Sequence, residues 1–298
     1  MNMVHGMEHY TYTGETAITI GKFDGLHLGH QKLLQELTVC AEGKYRSVMV
    51  AFDFQSPSLL DYSERASMLQ GRVDDLLVIP FRQEFKSITP MDFIQHVLVD
   101  KLHAKQIVVG TDFRFGLNRM GDVSLLQSKA SQFDYLLRVM EKQFYDGSEI
   151  SSSRIKEALQ EGDIQAANAM LGYAYPLHGV VEHGRQLARR LGFPTLNFKL
   201  TQDKIVPKHG VYYARVCMLG DISHGLVNIG MKPTVTKEQK LLVEVHVLDK
   251  NIEGYEEFIE IELVDFLRPE KKFSSIDELK DQIAEDSLWI RERYINLI

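Results

Sequence analysis

The sequence is poor in cysteine and has no long apolar run. Its 298 residues include two cysteines, Cys40 and Cys217, which lie far apart and lack the CxxC or Cys/His spacing of a structural zinc site. A disulfide framework is therefore not expected, and the cytoplasm is the default location. No stretch approaches the ~18 apolar residues of a membrane-spanning helix, and the first residues do not resemble a secretion signal. We expect a soluble cytoplasmic protein with no membrane partner.

Positive charge is also scarce. The chain has 34 lysines and arginines against 41 aspartates and glutamates, which gives a formal net charge of −7. An acidic balance argues against a general nucleic-acid surface, although a small anionic ligand needs only local positive charge. The length favours two domains, and the hydrophobic content of 44% is sufficient for two cores. The oligomeric state stays open.

Strand-like and helical patterns alternate through the first half of the chain. Apolar strand-like runs at 17–20, 47–52, 76–81 and 106–110 are separated by helical patterns at 31–42, 63–71, 90–103 and 122–131. Such alternation predicts a parallel sheet covered by helices on both faces.

The pattern changes after residue 147. A helical stretch is predicted over 153–171, and short alternating runs follow at 211–218, 225–229, 241–248 and 258–266. These runs predict a compact antiparallel barrel or sandwich, and the apolar spacing of 275–298 predicts a terminal helix packed on it. We place the boundary near residue 172, between an α/β domain (1–172) and a β domain (173–298).

A glycine-rich turn, GKFDGLHLGH, follows the first predicted strand and opens a helix. His27 and His30 fall on one face of the first helical turn, where free backbone N–H groups and the helix dipole favour anions. Gly25 and Gly29 remove side chains where a phosphate must approach the backbone closely. We predict a nucleotide phosphate site here; the alternative is a strand-to-helix turn with two surface histidines. The predicted site also includes Gly21, Phe23 and Asp24.

The segment 108–116, VVGTDFRFG, ends the fourth predicted strand of the first half. Open α/β sheets bind ligands at the carboxyl ends of their strands. Phe113 and Phe115 could stack on a flat ring, and Asp112 could accept hydrogen bonds from ribose or base. Alternatively, both phenylalanines belong to the core and Asp112 caps a turn.

A third segment, GSEISSSRIK at 147–156, places hydroxyl groups and cations at a helix start. Ser152, Ser153, Arg154 and Lys156 are suitable donors for nucleotide phosphates. A serine-rich helix cap would explain the serines without a ligand, but it explains the two cations less well.

In the second half, the segment LGFPTLN at 191–197 is a candidate cation site. Thr195 and Asn197 are two residues apart on an extended chain, so they project to one side and offer two neutral oxygens to a hard cation. A turn with a capping residue is the alternative.

The run 241–248, LLVEVHVL, alternates strictly. Val243, Val245 and Val247 share one face, and Glu244 lies on the other among apolar neighbours. A partly buried carboxylate is a candidate general base. The alternative is an ordinary solvent face that carries Glu244 and His246.

The first-half motifs GxFDGxHxGH, VGxDFxFG and ISSxR resemble, in that order, the adenylyltransferase half of the prokaryotic bifunctional riboflavin kinase/FAD synthetases. The resemblance covers roughly residues 15–170. It implies a Rossmann-like nucleotidyltransferase domain that transfers AMP from ATP to FMN and releases pyrophosphate. In this family pattern the two histidines contact the ATP phosphates, Asp112 belongs to the flavin and nucleotide loop, and Ser152, Ser153 and Arg154 close over the phosphates.

Five second-half segments are similar to the riboflavin kinase domain throughout 173–298; they lie at 192–197, 207–212, 228–234, 243–246 and 266–273. The similarity implies a six-stranded antiparallel barrel that phosphorylates riboflavin with ATP. It implies that Thr195 and Asn197 hold magnesium and that Glu244 deprotonates the 5′-hydroxyl of riboflavin. The kinase site would further include Gly192, Phe193, Pro194, Asn228 and Arg268.

The chain departs from the family pattern at several positions: Gln55, Ser56, Ser153, Lys156, Ala188 and Lys232. The leading hypothesis is an enzyme that makes FMN and then FAD. One alternative is a riboflavin kinase whose adenylyltransferase domain is impaired, and another is a flavin-binding regulator without turnover. A different nucleotidyl acceptor, such as a phosphopantetheine or choline phosphate, would leave the second domain unexplained.

Overall fold

The structure is a computed structural model of the chain. It describes residues 1–53, 57–80, 85, 87–182, 193–201, 203–233, 239–248, 250 and 254–295, with the backbone alone at 232, 233, 239 and 240. The chain divides by packing into two compact units, Met1–Ser152 and Ser153–Ile298. Among the residues described, no helix has the length and apolar character that crossing a bilayer requires.

The first unit is built on a six-stranded parallel sheet. Its strands are β1 (Asn2–His5), β2 (Thr16–Gly21), β3 (Arg46–Asp53), β4 (Asp75–Pro80), β5 (Ala104–Gly110) and β6 (Leu136–Met140). Their order in the sheet is β1-β4-β3-β2-β5-β6, and every neighbouring pair is parallel. The helices are α1 (Leu28–Ala41), α2 (Tyr62–Leu69), α3 (Pro90–Asp92, continued by the π-helical segment Phe93–Lys101) and α4 (Val123–Phe133).

Short elements complete this unit. Among the described residues of this unit, 3-10 turns lie at Met7–His9 and Leu117–Arg119. Two-stranded ribbons pair Arg114–Phe115 with Gly121–Asp122 and Phe144–Tyr145 with Ser148–Glu149.

The core of this unit lies on both faces of the sheet. Ile18 and Ile107 belong to a cluster on one face that also contains Phe93 of α3. Their chain neighbours Ala17 and Val108 are also fully buried, and consecutive residues of a strand point to opposite faces. Burial on both sides explains why these strands are nearly continuous apolar runs. The predicted parallel sheet with helices is confirmed.

The second unit is a six-stranded antiparallel barrel. Its strands are β7 (Tyr175–Val180), β8 (Leu196–Phe198), β9 (Gly210–Met218), β10 (Asp221–Pro233), β11 (Gln239–Val247) and β12 (Phe258–Arg268). Their order is β7-β12-β9-β10-β11-β8. Just after β7, the N–H of Glu182 donates to the carbonyl of Asn197 at 2.7 Å, which joins the first strand of this order to the last. The predicted barrel is confirmed.

Helices cover part of the barrel. α7 (Ile276–Ile290) is followed by a π-helical segment, Arg291–Ile295. Ile290 is fully buried in a cluster with Val211, Tyr213 and Leu226 of the barrel. The predicted terminal helix is therefore present, and it packs on β9 and β10.

The predicted helical stretch 153–171 is two helices, α5 (Ser152–Glu161) and α6 (Ile164–Leu171). Gly162 has a φ of +84°, and Asp163 caps α6 by accepting from the N–H of Ala166 at 3.0 Å. Asn168 donates to the carbonyl of Leu263 in β12 at 2.8 Å, so these helices pack with the barrel and the packing division falls at Ser152. The boundary near residue 172 stays a prediction about the functional domains.

Candidate active sites

The turn between β2 and α1 is conformationally constrained. Phe23, Gly25 and Leu26 have positive φ angles of 49°, 85° and 39°. A Cβ at Gly25 would lie 2.6 Å from Cδ1 of Leu59, so a glycine is required there for both conformation and space. The turn thus packs directly on the segment that leads into α2.

Asp24 stabilises this turn from the inside. Its side chain is almost fully buried, and Oδ1 accepts a hydrogen bond from the N–H of Leu59 at 2.7 Å. The hydroxyl of Ser152 donates to the carbonyl oxygen of Asp24 at 2.8 Å. The observed contacts of Asp24 and Ser152 are therefore contacts that hold the loop, and their direct role in nucleotide binding stays a prediction.

His27 and His30 form a stacked pair at the start of α1. Their ring centroids are 3.6 Å apart, with an angle of 20° between the planes. Gly29 permits this arrangement, because a Cβ there would lie 3.1 Å from Cε1 of the His27 ring. Phe23 is fully buried and packs edge-on against His30 at 5.1 Å. Gly21 is the last residue of β2 and lies at the other end of the turn that leads to these histidines.

Both imidazoles are poor bases in this setting. Burial lowers the pKa of His27 from 6.5 to about 4, and the nearby carboxylate of Asp24 only partly opposes this. The pKa of His30 is well below its usual value, first because of burial and then because of repulsion from His27, when that ring is protonated, and from the charge of Arg65. At neutral pH each ring is therefore uncharged and presents one N–H donor and one acceptor.

The Nδ1 atoms of both histidines are buried without a hydrogen-bond partner among the described residues. Within that part of the chain, the His27 side chain also makes no capping bond to α1. The first N–H groups of a helix point along its axis out of the N-terminal end, have no intrahelical partners and favour anions. Unpartnered buried polar atoms next to a helix N-terminus form a suitable binding site for a polyphosphate.

Arg65 of α2 belongs to this neighbourhood, and the sequence patterns did not predict it. Its side chain is 7% exposed, and Nε and Nη1 are buried without partners in the described structure. A charged residue within a helical pattern usually faces solvent, so no sequence signal marks this arginine.

The loop after β5 shows a mixture of the two predicted arrangements. Phe115 is buried in the core cluster, and Phe113 packs against it with a ring separation of 5.5 Å. The side chain of Asp112 is 69% exposed and forms an ion pair of 3.2 Å with Lys142. Phe115 is therefore a core residue, whereas Asp112 is accessible and its role in nucleotide binding stays a prediction.

The remaining predicted phosphate contacts lie on α5. Ser153 is exposed, and Arg154 and Lys156 are half-buried. All three stand within the first turns of that helix. Their contact with phosphates stays a prediction.

In the barrel, three polar side chains share one row across neighbouring strands. Asn197 of β8 is directly opposite Glu244 of β11, which is in turn opposite Asn228 of β10. Directly paired residues project from the same face of a sheet. Val243 and Val245 are fully buried on the other face, and Glu244 is half-buried, as the alternation predicts.

The segment before β8 is held against this row. Nδ1 of His246 lies 3.0 Å from the carbonyl oxygen of Pro194, and Phe193 packs edge-on against the His246 ring at 5.4 Å. Asn197 is 8% exposed, and its Nδ2 donates to the carbonyl oxygen of Thr195 at 3.4 Å. The Thr195 hydroxyl and the Asn197 amide oxygen, beside a carboxylate on the next strand, are the oxygen donors that Mg²⁺ prefers. The residues present therefore fit a magnesium site.

Glu270 borders the row, and Arg268 of the predicted kinase site forms an ion pair with an acidic residue of α7. Nδ2 of Asn228 donates to Oε1 of Glu270 at 3.4 Å. Arg268 at the end of β12 is bound to Asp286 of α7, with Nη2 to Oδ2 at 2.7 Å. The sequence patterns did not predict Glu270, because it reaches the row through the turn after β12.

Comparison with known proteins identifies the family. A family model described as FAD synthetase matches residues 10–154, and one described as riboflavin kinase matches residues 171–294. A protein of Buchnera aphidicola (subspecies Schizaphis graminum), named bifunctional riboflavin kinase/FMN adenylyltransferase, is 34% identical over the full length of both chains. The chain belongs to the bifunctional riboflavin kinase/FMN adenylyltransferase family. The Escherichia coli K12 protein of that name is 35% identical over 98% of this chain and 97% of its own.

A solved structure also shares the fold. The crystal structure titled macrolide-efflux protein from Streptococcus pneumoniae has a TM-score of 0.87, a sequence identity of 25%, and coverage of 99% of this chain and 100% of its own.

Several positions of interest for this family lie outside the described residues. These are Gly192 and the departures Gln55, Ser56 and Ala188; at Lys232 the backbone alone is described. What the departures do to activity stays a prediction.

Proposed function

We propose that this chain makes FAD from riboflavin in two ATP-dependent steps, each carried out by one of its two units. The barrel phosphorylates riboflavin to FMN, and the α/β unit adenylylates FMN to FAD. Family membership over the full length supports both transferase activities. The observation that carries the proposal is the stacked, uncharged pair His27 and His30 at a helix N-terminus, in a chain whose barrel bears the row of Asn197, Glu244 and Asn228.

In the first step, Glu244 acts as the general base. Its carboxylate accepts the proton of the riboflavin 5′-hydroxyl, whose oxygen attacks the γ-phosphorus of ATP while the bond to ADP breaks. Asn197 and Asn228 flank the carboxylate in register and are suited to orient the hydroxyl or the phosphate. Thr195 and Asn197 would hold magnesium, which when bound neutralises charge on the transferring phosphoryl group.

In the second step, a phosphate oxygen of FMN attacks the α-phosphorus of ATP, and pyrophosphate leaves. No proton has to be removed from a phosphate dianion, so positioning and charge stabilisation are the main requirements. Uncharged His27 and His30 donate N–H hydrogen bonds to phosphate oxygens beside the amides that begin α1. Donors fixed before the reaction cost no reorganisation during it.

The partners in this proposal are small molecules: ATP, riboflavin and FMN. A cytoplasmic location is part of the proposal, and the free thiols of Cys40 and Cys217 are compatible with a reducing compartment.

The test is a time course with riboflavin or FMN, excess ATP and magnesium, with the flavins separated by chromatography. Glu244→Gln is expected to lower FMN formation by on the order of 10²-fold or more and to leave FAD formation from supplied FMN unchanged. Glu262→Gln is the matched control, because Glu262 lies on the same barrel but pairs with Arg215 at 2.7 Å. The double variant His27→Ala/His30→Ala should show the opposite pattern.

Other outcomes would favour the alternatives. FMN that accumulates without FAD would indicate a kinase with an impaired first unit. Tight flavin binding without consumption of ATP would indicate a regulator. Equal loss of both activities in each folded variant would contradict separate sites.

A further inference from the structure

Arg65 lies one turn into α2, next to the glycine turn that precedes α1. The segment before α2 is fixed to that turn by the hydrogen bond from Leu59 to Asp24 and by the packing of Leu59 on Gly25. Asp61 caps α2 by accepting from the N–H of Glu64, and the N–H of Arg65 donates to the carbonyl of Asp61 at 3.0 Å. The start of α2 is thereby held close to the start of α1.

The guanidinium of Arg65 is buried in an unusual way. The side chain is 7% exposed, and its Nε and Nη1 have no hydrogen-bond partner in the described structure. The guanidinium lies over the Tyr62 ring at 5.8 Å from the ring centroid. Arginine is almost never buried unless it is paired, because desolvation of its charge and donors is costly. Buried donors without partners are a feature of sites that bind a polar ligand.

The charge of Arg65 acts on the histidine pair. It is one of the causes that lower the pKa of His30, which places the guanidinium within electrostatic reach of that ring. Since both imidazoles are uncharged at neutral pH, they add donors to the site but no positive charge. ATP and pyrophosphate carry several negative charges, and the planar fork of a guanidinium matches two phosphate oxygens at once.

We propose that Arg65 is a further substrate-binding residue of adenylyl transfer, whose guanidinium binds phosphate oxygens of ATP and of the departing pyrophosphate at the N-terminus of α1, an inference that rests on the proposed function. The ligand completes the hydrogen bonds of Nε and Nη1, and the arginine supplies the full positive charge that the histidines lack. Its contribution grows as charge moves onto the leaving pyrophosphate.

The test compares Arg65→Met and Arg65→Lys with Arg72→Met in the full chain. Arg72 is an exposed arginine just after α2, so its substitution makes the same change of charge outside the site. FAD formation from FMN is measured over a range of magnesium-ATP concentrations. For Arg65→Met we expect kcat/KM for ATP to fall by on the order of 10²-fold. For Arg65→Lys we expect a loss of roughly tenfold, because lysine keeps the charge but not the fork.

FMN formation by the same preparations, which the barrel carries out, should stay within about twofold of the parent. Urea unfolding followed by circular dichroism reports whether the first unit of each variant is folded. A kcat/KM for ATP of Arg65→Met that equals that of Arg72→Met would overturn the inference. If Arg65→Met does not fold, Arg65→Lys is assayed by calorimetric titration with magnesium pyrophosphate. Weaker binding than in the parent supports the inference, and an unchanged Kd overturns it.

The double variant His27→Ala/His30→Ala separates this inference from the proposed function. If that variant still forms FAD at the parent rate, the proposed site itself is wrong, and the inference about Arg65 fails with it. If the double variant is inactive and Arg65→Met is fully active, the inference about Arg65 alone is wrong.

Discussion

Lowering the pH from 7 to 5 is expected to destabilise the first unit through His27. The pKa of this buried imidazole is about 4 in the folded protein and 6.5 as a free side chain. Above pH 6.5 both states are uncharged and His27 has no effect. Between these values the unfolded chain binds a proton that the folded chain does not, so stability falls as the pH falls.

The size of the effect follows from the two pKa values. Each pH unit between them corresponds to about 1.4 kcal/mol. The lost free energy of unfolding is therefore about 2 kcal/mol at pH 5 and about 3 kcal/mol below pH 4. The pKa of His30 is lowered in the same direction, so His30 adds to the loss.

The assay is urea unfolding at several pH values, followed by circular dichroism. The single tryptophan, Trp289, lies in the second unit, so its fluorescence identifies the transition of that unit and leaves the first to be resolved. His27→Asn removes the titrating group. The variant should fold, because His27 is the N-cap residue of α1 and asparagine is favoured at N-cap positions. The control is His96→Asn, at a side chain that is 63% exposed.

We expect the free energy of unfolding of His27→Asn to depend less steeply on pH than that of the parent, by about 2 kcal/mol between pH 7 and pH 5. The slope of His96→Asn is the reference for the loss of an exposed imidazole. Identical slopes for His27→Asn and the parent would refute the reasoning, since they would mean that the ring can be protonated within the fold.

Three further results are expected. Gly25→Ala should destabilise the first unit by at least about 2 kcal/mol and Gly43→Ala by about 1 kcal/mol, because both have positive φ but only Gly25 lacks space for a Cβ; equal losses in urea unfolding would contradict this. Asp286→Asn should destabilise the barrel by about 3 kcal/mol, since it breaks a largely buried pair with Arg268, and an unchanged tryptophan unfolding transition would speak against that. Arg65→Met should raise the stability of the first unit by about 1 kcal/mol or more, because it removes a buried charge without a partner; a lower melting temperature would instead indicate a structural role.

Patterns in the sequence predict the centre of the sheet better than its edges. The four predicted strands of the first half correspond to β2, β3, β4 and β5, which are adjacent in the sheet and buried on both faces. The missed strands β1 and β6 are the two edges and are largely exposed, so they lack a continuous apolar run. Edge strands that are largely exposed are therefore harder to recognise from the sequence than central strands buried on both faces.

The candidate sites show the same division. The face on which Glu244 lies could be predicted from the sequence, because alternate residues of a strand share one face. The similarity of 243–246 to the riboflavin kinase domain indicated which residue of that face to examine. Arg65 could not, because its burial depends on the packing of α2 against a turn more than thirty residues away in the chain. Residues that break the rule that charges face water are common at functional sites, and they become visible only in three dimensions.

The seam of the barrel has a consequence for the coupling between ligand and fold. β8 is only three residues long, and its central residue, Asn197, carries the backbone bond to Glu182 that closes the barrel. A short edge opens locally more readily than the long strands around it. Ligands held by Asn197 would therefore bind only the closed form and lower the population of the open one by mass action. At saturating nucleotide the pairing of β8 with Glu182 would open less often. The stability of the barrel would then depend on substrate concentration through Asn197.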